Sequence, residues 1–286
     1  MTRQKTYEEL VRPLPPRSLG ARYWGAVSAV MRMVGGRLSE GMRIGYHHGF
    51  DSGEMLDYVY RNQAYGAWGI GWFIDRMYLN AIGWRGIRQR KVHLKTLLAE
   101  AVHQLQPSRN PLHIVDVAAG PGRYLLEALK ELESDGLQAT LRDRDEVGLA
   151  QGRALAETLG IQGVRYERGD AFDPHDLKRL SPPPHIVVVS GLYELFPDNA
   201  LISRSLGGIH TVLEPGGRLI YTNQPMHPQL EMIARCLPNR EGKPWVMRLR
   251  SQEEMDFLVA GAGFQHNKTL IDRWGIFTVS EATKTQ

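Results

Sequence analysis

Cysteine is nearly missing from this sequence: there is one, Cys236, in 286 residues. A single thiol excludes an internal disulfide and a zinc site built from several cysteines. It makes a reducing, cytoplasmic setting the expectation. Long apolar runs are missing too. None approaches the ~18 uninterrupted residues of a membrane-spanning helix. Residues 1–9 lack the apolar core of a signal peptide. There is no fixed-period repeat and no low-complexity tract. His47 and His48 stand side by side, but no carboxylate lies at a ligand spacing from them, so no metal site is expected.

What is present is unevenly spread. The net charge of +4 divides into a basic front and a mildly acidic back. Residues 1–105 hold 15 Lys/Arg against 8 Asp/Glu, and the remainder 20 against 23. The front also holds 13 of the 24 aromatic residues and four of the six Trp. A basic, aromatic segment thus precedes one that carries the surplus of carboxylates.

The back part alternates strand and helix signals. An apolar run at 113–119 and strand-like segments at 137–142, 164–167, 185–190 and 218–222 predict five strands. The fourth has three successive valines, as expected of a strand covered on both faces. Helical spacing occupies 123–133, 147–159 and 200–213. Ser251 and Glu254 form a capping-box signal at the head of a helix over 251–262. Segments 269–272 and 276–280 flank Arg273-Trp274-Gly275 as a hairpin. Repeated β-α-β units imply a parallel sheet with helices on both faces, to which a terminal hairpin adds an antiparallel strand. The expected fold is α/β, with a doubly wound, mostly parallel, seven-stranded sheet. The front shows helical spacing at 23–37, 55–61, 71–81 and 88–104. It predicts an N-terminal helical cap over 1–106 and a sheet domain over 107–286, joined through 107–111.

The most informative stretch is Asp116-Val-Ala118-Ala-Gly120-Pro121-Gly122-Arg-Tyr124. It follows a strand and opens a helix, the setting a nucleotide loop needs. Gly120 and Gly122 let the backbone turn sharply and approach a ligand. Dinucleotide enzymes place Gly or Ala three residues after the second glycine, and Leu125 substitutes poorly there. Asp116 fits badly beside a pyrophosphate and better beside a cationic amino group.

The loop resembles motif I of class I S-adenosylmethionine-dependent methyltransferases, with Ala118 in place of the first glycine. That resemblance implies a Rossmann-like fold and S-adenosyl-L-methionine as cofactor, held by Asp116, Ala118, Gly120, Pro121 and Gly122. Asp143, about 20 residues on, then accepts from the ribose hydroxyls, with Arg144 beside it. Asp145 competes for that role, and a helix N-cap is the plain alternative for either. Gly169-Asp170-Ala171-Phe172 resembles the family's adenine turn, with Asp170 on the exocyclic amine and Ala171 or Phe172 on the ring face. Ser190 completes the implied cofactor contacts.

On the acceptor side, Ser190-Gly-Leu-Tyr193-Glu194 follows the fourth strand. There is no Asn/Asp-Pro-Pro-Tyr/Phe run and no Pro-Cys pair, which disfavours two classes of nucleic-acid base methylation. Tyr193 or Glu194 can orient or deprotonate an acceptor, or can serve as core and ion pair. His227, in the cluster after the fifth strand, is the best base by intrinsic pKa, with a structural loop histidine as the alternative. In the front, Tyr58, Tyr60, Tyr65, Trp68, Trp72 and Trp84 can line an apolar pocket, rest on a membrane or simply form a core. Arg85, Arg88, Arg90 and Lys91 form the densest basic cluster, suited to phosphate or anionic lipid, or to a solvated helix face.

Runs over most of the chain from about residue 35 onward are similar to the methyltransferase half of bacterial bifunctional α/β-hydrolase/methyltransferase proteins. Among them are 49–62, 83–91, 191–199, 227–234 and 273–280. No Gly-x-Ser-x-Gly elbow is present, so the hydrolase half is absent from this chain. The expected activity is methyl transfer to O, N or C of a small-molecule or lipid-like acceptor. Peripheral membrane contact is open and nucleic acid is not favoured. The alternative is a non-catalytic cofactor-binding module that acts through its basic aromatic cap.

Overall fold

The computed structural model describes residues 4–132 and 136–285. Its two compact units are Met1–Arg88 with His227–Leu249, and Gln89–Met226 with Arg250–Gln286.

The second unit is built on the valine-rich strands. β1 (Leu112–Asp116), β2 (Leu137–Asp143), β3 (Val164–Arg168), β4 (Ile186–Val189) and β5 (Arg218–Asn223) are parallel. β6 (Phe264–Ile271) and β7 (Thr278–Lys284) close the sheet in the order β3-β2-β1-β4-β5-β7-β6. β7 runs antiparallel to both its neighbours, so the antiparallel strand is internal and β6 is the edge. β1 and β4 are buried at every position, as continuous apolar strands covered on both faces must be. The connection after β1 leads outward one way and that after β4 the other. This makes the crevice at their carboxyl ends the topological switch point, where ligands of open α/β sheets bind. The helices between the parallel strands are Arg123–Leu132, Glu146–Leu159, the short Pro174–Leu177 and Asn199–Val212, and Gln252–Gly261 precedes β6. Residue 133, the expected end of the first of these, lies outside the described residues.

The first unit is helical: Tyr7–Val11, Leu19–Val30, Glu40–His48, Gly53–Arg61, Ile70–Leu79 and Leu230–Cys236. Its interior is organised on Asp75, a fully buried carboxylate. That carboxylate accepts from the Ser39 hydroxyl, the Gly41 N–H (2.8 Å), the Tyr58 hydroxyl and the Tyr65 N–H (2.9 Å). Four donors offset the cost of burying the charge.

The partition corrects the expected boundary at 106/107 in two places. Residues 89–105 of the long helix Ile82–Leu105 belong with the sheet, because their side chains pair there. Lys91 reaches Glu127 at 2.8 Å, Lys95 pairs with Glu131, and Glu100 with Lys268 at 2.7 Å. Residues 227–249 return to the helical unit instead. There Arg235 donates to the carbonyls of Leu10 (2.9 Å) and Arg12 (2.8 Å), and Trp245 stacks on Trp84.

Candidate functional site

The loop after β1 is stitched to the strands on either side of it. The Val117 N–H donates to the Val188 carbonyl (3.2 Å) and the Ala119 N–H to the Arg142 carbonyl (2.9 Å). Gly120 (φ 52°) and Gly122 (φ 71°) both take left-handed backbone. A Cβ at Gly122 would lie 1.9 Å from a Leu141 methyl, so glycine is required by space as well as by φ.

Asp143, at the end of β2, holds this loop. Its Oδ2 accepts from the Gly120 N–H (2.8 Å) and its Oδ1 from the Asp145 N–H (3.0 Å). The carboxylate is half-buried, and each oxygen keeps a second lone pair for a further donor. Asp145 has a different task. It is the N-cap of Glu146–Leu159 and accepts from the Val147 N–H.

The turn after β3 is tied to the same place by the Gly169 N–H, which donates to the Asp143 carbonyl at 2.9 Å. A Cβ at Gly169 would meet the Arg142 guanidinium at 2.6 Å. Arg142 pairs with Asp176 at 2.8 Å, and the Asp176 carboxylate accepts from the Asp170 N–H at 2.7 Å. This buried Arg–Asp pair therefore fixes the turn. The Asp170 side chain stays partly open. It accepts from the Phe172 N–H (2.9 Å) and has Arg144 at 4.0 Å.

Asp116 lies deeper. It is completely buried and takes the Tyr124 hydroxyl at 2.5 Å and the Ala118 N–H at 3.3 Å. Burial pushes its pKa up to about 7, against the lowering effect of these two bonds.

Two polar groups lie beyond β4 and β5. Gly191 (φ 71°) donates its N–H to the Thr222 hydroxyl at 2.9 Å, which joins the two strand ends. Its position is crowded, since a Cβ there would come within 3.2 Å of the Arg90 guanidinium. Arg90 and Glu194 form an almost fully buried ion pair at 2.9 Å. Burial raises the Glu194 pKa and the Arg90 charge opposes that rise. Glu194 Oε2 and Gln224 Nε2 are buried polar atoms with no hydrogen-bond partner among the described residues.

With this geometry in hand, the chain can be set beside known proteins. The family described as "Putative methyltransferase" matches residues 1–284. The chain belongs to this methyltransferase family. A relative, the uncharacterized protein YnbC of Escherichia coli (strain K12), is 50% identical over 274 residues. The match takes in 95% of this chain and 46% of YnbC, so the chain spans about half the length of that relative. Among solved structures, a possible exported protein from Bordetella parapertussis superposes with a TM-score of 0.66 at 19% identity. That match covers 82% of this chain and 80% of the other. Magnesium protoporphyrin IX methyltransferase from Synechocystis PCC 6803 with bound SAH superposes at 0.58 with 14% identity, covering 84% and 98%. These likenesses are of fold.

As a member of the methyltransferase family, the chain keeps its loop, acid and turn together at three adjacent strand ends. Several expected roles nonetheless change. Asp116 is fully buried and braces the loop through its bonds to Tyr124 and Ala118. Ala171 and Phe172 belong to the hydrophobic core, where Phe172 meets Phe196 edge-on at 4.6 Å. Tyr193 is a core residue too. Ser205 donates its only hydroxyl proton to the Ala171 carbonyl (2.6 Å), so the Tyr193 hydroxyl donates to Ser205 (2.9 Å). Burial raises the Tyr193 pKa. His227 sits in the helical unit, with Nδ1 accepting from the Gln229 N–H at 3.1 Å.

The basic cluster is also divided. Arg88 donates to the Leu79 carbonyl, whereas Arg90 and Lys91 are committed to Glu194 and Glu127. Of the front aromatics, Tyr58 and Trp84 are buried, whereas Tyr65, Trp68 and Trp72 are exposed. Sequence reasoning missed Tyr124 and the Arg142–Asp176 pair. An arginine inside β2, next to Asp143, was the available signal.

Proposed function

We propose that this methyltransferase takes its methyl group from S-adenosylmethionine and delivers it to O, N or C of a small-molecule or lipid-like acceptor. The observation that carries the reading is Asp143. It is a half-buried carboxylate at a strand end, oriented by two backbone N–H groups and with lone pairs left over. Those lone pairs suit a pair of vicinal hydroxyls. Asp170 offers a second acceptor, and the backbone at Ala118, Gly120 and Ser190 is only half-buried. The donor set therefore fits a nucleoside with a cationic tail. The unit that contains it carries 19 Lys/Arg and 22 Asp/Glu, which favours a positive ligand.

When bound, the sulfonium supplies an activated methyl. The protein's part is then to hold the acceptor in line and to exclude water. Glu194 Oε2 and Gln224 Nε2 are the groups with hydrogen-bonding capacity left for orienting an acceptor. A base is needed only if the acceptor arrives protonated. A cytoplasmic location belongs to the same proposal.

Calorimetric titration with S-adenosylhomocysteine tests the reading. The wild-type chain binds, and Asp143→Ala weakens binding about 100-fold, from two charge-assisted bonds of ~1.5 kcal/mol each. Asp143→Asn, closer in shape, separates lost ligand contact from lost loop geometry. Absence of binding by the wild type, or equal binding by all three, overturns the proposal.

A further inference from the structure

The helical unit leaves unused apolar surface. Leu19–Val30 has no buried residue along its 12 positions. Leu19, Tyr23, Ala26 and Val30 are all exposed at the spacing of one helix face, and Met33 and Val34 extend the stripe. A second stripe lies on Ile70–Leu79, where Ile70, Phe73 and Met77 recur at the same spacing and are all exposed. The loop before it carries Trp68, 91% exposed.

Backbone contacts join the chain just past the first stripe to the loop and first turn that open the second. The Ala67 N–H donates to the Leu38 carbonyl (3.3 Å), and Ser39 bridges Gly66. Gly71 packs so closely that a Cβ would sit 2.3 Å from that same carbonyl. Trp68 itself has φ 60°, left-handed backbone that a bulky L-residue rarely adopts. Folding does not need that strain to bury the indole, since the indole is not buried.

The charge around this face has one sign. Residues 10–39 contain five Arg and no acid, and residues 62–74 contain no charge at all. Arg22, Arg32 and Arg37 are exposed. The acid of Ile70–Leu79, Asp75, is buried under its four donors. Glu40, the next acid along the chain, is held by Arg43 at 2.7 Å. The unit as a whole carries 16 Lys/Arg and 9 Asp/Glu. Among the described residues no helix is long and apolar enough to cross a membrane, so any lipid contact by a helix lies at the surface.

We propose that this face docks on an anionic lipid surface, with Trp68, Ile70, Phe73 and Met77 entering the headgroup boundary and the arginines meeting lipid phosphates. Exposed Trp and Tyr between apolar side chains and cations match the chemistry of that boundary, which offers an apolar interior and a negative rim. The inference does not depend on methyl transfer.

Vesicle flotation of the full chain tests it. The chain floats with vesicles containing about one-third phosphatidylglycerol and far less with pure phosphatidylcholine, and salt weakens the binding. Trp68→Ala, and separately the pair Ile70→Ser with Phe73→Ser, lower the bound fraction at least roughly tenfold while circular dichroism is unchanged. The triple Arg22→Ser, Arg32→Ser, Arg37→Ser variant removes the preference for the anionic vesicles. No flotation of the wild type overturns the proposal, and so does flotation indifferent to these changes. It also fails if sedimentation velocity finds a dimer that the apolar substitutions dissolve, because a second copy then covers the face.

Discussion

Replacing Asp116 by Asn probes the cost of the buried acid beneath the loop. The carboxyl group is raised from 3.8 to about 7, chiefly by burial. A raised acid favours the folded state at low pH and loses that advantage as pH climbs, because the unfolded chain releases its proton first. Below about pH 4 the proton is bound in both states and the group contributes no penalty. Between pH 4 and 7 the penalty grows, and above 7 it levels at about 4 kcal/mol, from roughly three pKa units at 1.36 kcal/mol each. From pH 5 to pH 8 the wild type therefore loses about 2–3 kcal/mol through this residue alone. Asp116→Asn has no proton to release. The variant carries a constant offset for a misplaced amide proton, about 1–3 kcal/mol. Its stability relative to wild type nevertheless improves by about 2–3 kcal/mol across that range. Urea unfolding of both proteins at pH 5, 6, 7 and 8 reads the difference. A gap that stays constant with pH would show that Asp116 titrates like an ordinary aspartate and that its burial has no electrostatic consequence.

Two further outcomes follow from the strand ends. Tyr193→Phe leaves turnover within about twofold and costs about 1 kcal/mol of stability, since only the bond to Ser205 is lost. A large fall in kcat with unchanged stability would restore Tyr193 as a catalytic residue. Glu194→Ala strands the buried Arg90 charge and lowers stability by about 3–5 kcal/mol in denaturant unfolding. A loss under about 1 kcal/mol would mean that solvent reaches the pair.

What the sequence showed of the site was what lies close together along the chain. Asp116, Gly120, Gly122 and Asp143 sit at short, ordered separations, and each of the two acids ends a strand. The alternation of strand and helix signals led to the seven-stranded sheet directly. The internal place of β7 did not follow, since a hairpin read locally does not say which arm pairs with β5. Tyr193 looked available because a tyrosine beside a glutamate reads the same whether it faces solvent or Ser205, 12 residues away. Glu40–His48 escaped notice because two of its nine residues are glycines, which periodicity treats as breakers. Both prove to be packing positions. A Cβ at Gly41 would press on Tyr58 and Tyr78, and one at Gly45 would lie 2.4 Å from Phe50. The hub at Asp75 gathers donors from residues 39 to 65, a convergence that only the folded chain displays.

The return of residues 227–249 to the helical unit has a consequence for how the chain is made. Arg235 binds the Leu10 carbonyl across 225 positions of sequence. A ribosome must therefore synthesise all five parallel strands before the first helices can acquire their last partners. At ~5–20 residues per second, the N-terminal helices wait on the order of ten seconds with part of their surface uncovered. The sheet faces a shorter delay, because only β6, β7 and the helix before them remain once residue 249 has emerged. Vectorial synthesis thus completes these helices only after the five parallel strands that follow them, with the outward apolar stripes of Leu19–Val30 and Ile70–Leu79 uncovered throughout.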